Sequence, residues 1–307
     1  MTTKTTPFDY FVASSEINDR GVESLDEGNT KQAILLLDMA LVNMHAHQRE
    51  LTVSKSRPTT GQSIEYPSSS TYCHCSICVP TTTSTIPLSS SEDDSDMTMS
   101  GVYCRGIRFK ELLLQVQCNC GHCRRFNLPG NRGSVLSCIT CEESMVCFSV
   151  VLFNLGLAYH IQALKETNVA QQHGNLLSAK AIYRMVCSNL ATIGNIGSLE
   201  LTSSSGLVRP ASCLHVHSNY MIDMISLGLL NNLMHISVEF FNYEETKEAM
   251  HHLTIYAKSM LVELVDEGEE MTKTDTNEVS RKSALLLSFL RNASATLTLL
   301  KRAAPAA

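Results

Sequence analysis

The 307-residue sequence contains no tryptophan, and aromatic residues make up only 6% of it. A surface of stacking platforms for nucleic-acid bases is therefore not expected, because each platform needs an exposed ring. Positive charge is also scarce. The net charge of −6 sets up a field that repels phosphate backbones and anionic lipid, so neither nucleic acid nor a membrane is an expected partner. The longest apolar stretch, Val146 to Leu164, is interrupted by Asn154, Gly156, His160 and Gln162. It reads as a buried helix, not as a span of roughly 30 Å of hydrocarbon. The amino-terminal MTTKTTPFDYF has neither an apolar core nor a small-residue cleavage site, and the expected location is cytoplasmic or nuclear. A phosphate-cradling glycine loop, a His-Glu-x-x-His zinc pair, a nucleophile elbow and a dinucleotide fingerprint are all missing, so no catalytic activity is expected.

The sequence does hold 44% apolar residues, enough for a sizeable core. Three segments have helical periodicity with a shared spacing. In Asp19 to Leu41, glycines 21 and 28 precede Ala33, Leu37 and Ala40. In Val151 to Leu190, Leu155, Gly156 and Tyr159 are followed by Gly174, then Ala179, Tyr183 and Val186. In Asn231 to Met260, Leu233 opens and Thr246, Met250 and Leu253 close the pattern. Small residues such as Gly21, Gly156 and Ala179 allow two antiparallel helices to approach closely, and larger residues four and seven positions along fill the groove between them. Turns are expected at Gly28 with Asn29, Gly174 with Asn175, and Phe241 with Asn242; the third lacks a glycine to take the left-handed conformation. A further amphipathic helix over Val279 to Arg302, with Leu285, Phe289, Ala293, Thr296, Leu297 and Leu300 near one face, is expected to cap the stack.

These segments resemble tetratricopeptide repeats, and NNLMHISVEFFNYEETKEAM is similar to that family's pattern across its turn. The spacing departs from the family's continuous array, since the hairpins lie far apart and the second carries the extension HIQALKETNVAQQH. The resemblance implies a concave groove lined by the inner helices, with Asn154, His160, Asn232, His235 and Glu239 facing a partner. In the family, an asparagine placed like Asn154 or Asn232 hydrogen-bonds the backbone of an extended peptide. The remaining histidine pairs, such as His45 with His47, fall on different helix faces and read as surface or core residues.

Two stretches lie outside this pattern. Residues 52–110 are rich in Ser, Thr and Pro and include the acidic run SSSEDDSD, so they read as a disordered linker. Ser89, Ser90 and Ser91, upstream of the carboxylates, resemble an acidophilic kinase site; the other reading is an unmodified acidic spacer. Residues 111–147 are cysteine-rich. Cys120 and Cys123, then fourteen residues, then Cys138 and Cys141, have the spacing of a four-thiolate zinc module. The simpler reading is free cysteines in an irregular insertion between helices. Cys73, Cys75 and Cys78 form a looser cluster in the linker.

The expected organisation is a first helix hairpin over 1–51, the linker over 52–110, the cysteine-rich insertion over 111–147, and a helical domain over 148–303 with two hairpins and a capping helix. The expected fold class is all-α. The expected function is a scaffold that binds an unidentified protein or peptide in a helical groove, with no cofactor. The alternative is a zinc-binding regulator.

Overall fold

In the computed structural model, residues 7–56, 98–99, 102–103, 105–109, 141–192, 216–268 and 276–303 are described, and helix follows helix through almost all of them. The helices are α1 (Pro7–Asp26), α2 (Thr30–Ser56), α3 (Cys141–Lys165), α4 (Val169–Thr192), α5 (Val216–Glu239), α6 (Tyr243–Gly268) and α7 (Thr276–Ala303). Among the described residues the only strands are β1 (Thr98–Met99) and β2 (Val102–Tyr103), an antiparallel pair in which Thr98 faces Tyr103 and Met99 faces Val102. The protein is all-α, built from consecutive antiparallel hairpins.

Two of the hairpin turns have the same construction. After α1, Asn29 N–H donates to Ser24 O and Gly28 N–H to Leu25 O, with Gly28 at φ 79°. After α5, Asn242 N–H donates to Ser237 O and Phe241 N–H to Val238 O, with Phe241 at φ 55°. Each pair satisfies the last carbonyls of the helix through one left-handed residue. The asparagine that follows caps the next helix: Asn29 Oδ1 accepts from Gln32 N–H, and Asn242 Oδ1 from Glu245 N–H. Glu245 holds that capping amide in place, its carboxylate accepting from Asn242 Nδ2 at 2.9 Å.

The middle turn differs from expectation. Gly174 lies inside α4, and the chain reverses instead at 166–168, where Asn168 Oδ1 accepts from the N–H groups of Ala170 and Gln171. A side-chain cap ends one helix and starts the next here without any glycine. The extension HIQALKETNVAQQH therefore contains the turn.

The chain divides into two compact units, one drawn from Met1–Glu92 and Ile107–Val151, the other from Asp93–Gly106 and Leu152–Ala307. In the first, Gly21 brings α1 onto α2: a Cβ there would lie 2.8 Å from Leu37 Cγ. Ser14 Oγ donates to Ala40 O at 2.8 Å across the same interface, and Phe11, His47 and Phe109 form a ring cluster beside it.

In the second unit α5 is central, packing against α4, α6, α7 and β2. It is buried on every side from Ile222 to Met234, as expected of a helix that is apolar all round. The amphipathic helix α6 buries Thr246, Ala249, Leu253, Ala257, Met260 and Leu264 at three- and four-residue steps. Glu245 joins α6 to α4 through Lys180 at 2.5 Å and Arg184 at 2.8 Å. Burial raises the pKa of this carboxyl, but the two hydrogen-bonded cations outweigh burial and hold it below the usual carboxylate range.

Among the described residues, two helical stretches are long and apolar enough to cross a membrane by length and composition, Ser144–Lys165 and Lys282–Lys301. The first is 78% buried within the protein, the second 22%.

Candidate functional site

Asn232 stands on α5, one turn from Gly228. Its carboxamide offers the same donor and acceptor pair as a peptide unit, and it uses both on one residue of the chain. Asn232 Oδ1 accepts from Tyr103 N–H at 2.8 Å, and Asn232 Nδ2 donates to Tyr103 O at 3.1 Å. The side chain thus bonds the main chain of β2 much as a peptide unit of a neighbouring strand would. Nδ2 also donates to the Tyr183 hydroxyl at 3.1 Å, and Oδ1 accepts from Asn231 Nδ2 at 3.3 Å. Asn231 Oδ1 in turn accepts from Asn292 Nδ2 on α7 at 3.0 Å. A polar chain through α4, α5 and α7 therefore fixes the amide in position.

The Tyr103 ring fills the adjoining space. It is 3% exposed, with ring centroids 5.5 Å from Phe289 and 6.3 Å from Phe153. A Cβ at Gly228 would sit 2.7 Å from Tyr103 Cδ1, so the ring lies directly on the α5 backbone and only glycine leaves room for it. Main-chain hydrogen bonds hold the segment, and one aromatic pocket sets its register.

The first unit holds its own piece of the same stretch in a related way. Asn18 Nδ2 donates to Ile107 O at 3.1 Å, and Asp19 Oδ1 accepts from Phe109 N–H at 2.5 Å. Arg108 pairs with Asp26. Here too the main chain is what the side chains recognise.

The chain matches no family model, no curated protein and no solved structure. The site is therefore read from its geometry.

Of the residues expected to line a groove, Asn154, His160 and Asn232 are 0% exposed, His235 is partly buried and Glu239 is exposed. His160 and His235 meet across α3 and α5, with Nε2 of the first 3.2 Å from Nδ1 of the second. Burial, then the neighbouring His235, pushes the His160 pKa down to about 3. Burial also lowers that of His235, opposed by Glu239. Both rings are neutral at physiological pH, so this pair links helices and is a poor proton shuttle.

Cys120, Cys123 and Cys138, together with Ser89, Ser90, Ser91, Cys73, Cys75 and Cys78, lie outside the described residues; of Cys141 only its place at the start of α3 is described. Among the described residues no group of three His, Cys, Asp or Glu could hold a metal ion. Cys187 is buried, which pushes its thiol up to about 12 and makes it unreactive.

By composition Tyr103 falls within the 52–110 linker, and no local pattern distinguishes Gly228, Asn18 or Asp19. One local signal was available. Tyr103, Ile107 and Phe109 are apolar and share odd-numbered positions, the period of an extended chain with one face buried.

Proposed function

We propose that this protein is an interaction module, tetratricopeptide-like in its hairpins, whose second unit holds an extended peptide segment along α5. The observation that carries this reading is the paired hydrogen bonding of Asn232 to the N–H and C=O of a single residue in an extended segment. Recognition through the main chain accepts many sequences, and a pocket for one side chain selects among them, as when a peptide adds to a sheet edge.

The test is to pan a displayed peptide library on full-length Tyr103→Ala protein, which lacks the resident ring, and measure the recovered peptides against Tyr103→Ala and Tyr103→Ala with Asn232→Ala proteins of matching helical content. The expected result is loss of at least tenfold in affinity, since the amide supplies two hydrogen bonds of about 1 kcal/mol each and leaves the ligand's polar groups unpaired when removed. Peptides that bind the folded double variant as tightly as Tyr103→Ala would exclude this groove as the site.

A further inference from the structure

The groove is already filled, and what fills it defines the ligand it takes. A two-stranded hairpin with two residues per strand is not stable alone in water, so β1 and β2 owe their order to docking against α5. Their docking includes the two Tyr103 main-chain bonds, which any extended peptide could supply, and one ring in the space left by Gly228. In thermodynamic terms the segment is a ligand tethered to its receptor.

We propose that the Asn232 and Gly228 groove is a receptor for an extended segment bearing one aromatic side chain, that the strand ending at Tyr103 occupies it in cis, and that a partner protein presenting such a segment binds by displacing it. This rests on reading the second unit as a peptide-binding module. The main-chain bonds make the partner's sequence largely free, while the pocket bounded by Phe153, Phe289 and the bare α5 backbone demands a flat ring. Because the resident segment is joined to the groove's own chain, its effective concentration is roughly millimolar. A partner must therefore bind tightly, or the segment must be weakened, before exchange occurs.

The probe is a fluorescent peptide of residues 96–106 carrying Cys104→Ser, titrated by anisotropy into three full-length proteins: parent, Tyr103→Ala, and Tyr103→Ala with Gly228→Ala. Tyr103→Ala is expected to bind at least tenfold tighter than the parent. Adding Gly228→Ala should abolish that gain, as should a probe with its tyrosine replaced by alanine. If Tyr103→Ala melts too low to assay, Tyr103→Leu, which removes the ring but keeps an apolar side chain, serves in its place.

Equal, tight binding to parent and Tyr103→Ala would overturn the cis occupancy while leaving the peptide-binding reading intact. Binding by neither would make the segment a fixed part of the fold and overturn both. Concentration-dependent dimers of the parent that Tyr103→Ala abolishes would assign the occupant to a second copy and overturn exchange with a partner.

Discussion

His160 and His235 show how a polar residue can be stable in a core and still impose a cost. Their rings hydrogen-bond each other, but His160 Nδ1 has no hydrogen-bond partner among the described residues, and neither ring can take up a proton without placing charge among apolar side chains. Because the folded value of His160 is about 3 against an ordinary 6.5, the unfolded chain binds more protons throughout that interval. The contribution of His160 is therefore complete above about pH 6.5 and lost progressively as pH falls, at about 1.4 kcal/mol per pH unit, and His235 acts in the same direction. Glu245, whose carboxyl is held low, loses its contribution only at more acid pH. Urea midpoints measured between pH 7 and pH 4.5 should fall steeply for the parent and less steeply for His160→Leu; parallel profiles would refute the assignment. The sequence offered these histidines as groove residues, and periodicity alone does not separate an inner face that meets a partner from one that meets another helix.

Among the helices, glycine has opposite meanings at two positions that look alike in the sequence. Gly156 lets α3 approach α4: a Cβ there would lie 2.7 Å from Tyr183 Cε1, and Tyr183 is fully buried and bonded through its hydroxyl to Asn232. Gly174 has nothing within 4 Å and sits inside α4. Gly156→Ala should therefore destabilise the protein by about 1–3 kcal/mol, and Gly174→Ala should stabilise it by about 0.5–1 kcal/mol through helix propensity. Urea denaturation of the two variants checks the contrast, and a shared sign would contradict it. Gly156 was legible as a close-approach residue because Leu155 and Tyr159 surround it in the hairpin pattern. Gly174 was misread as a turn because a mid-helix glycine looks like a helix stop, whereas the true turn rests on Asn168, whose capping role depends on side-chain geometry. Phe241 takes the left-handed position that glycine fills in the first hairpin while remaining 75% exposed, so that turn follows from Asn242, whose side chain caps the next helix.

For the molecule as a whole, the hairpins were readable because their signals are local, repeating within a few residues. The docked segment was not, because its partners are far away in sequence: Asn232 lies 129 residues from Tyr103, and Asn18 lies 89 from Ile107. Composition marked 52–110 as linker, and composition cannot see that Tyr103, Ile107 and Phe109 have burial sites waiting in distant helices. Each unit takes hold of part of this stretch through its main chain, the first at Ile107 and Phe109, the second at Tyr103. The most direct measurement is hydrogen exchange at the Tyr103 amide of the full-length protein. If Asn232 clamps an extended segment, that amide should be protected by at least a hundredfold in the parent and should exchange at near-unfolded rates in folded Asn232→Ala. An unprotected Tyr103 amide in the parent would contradict the clamp, and with it the groove.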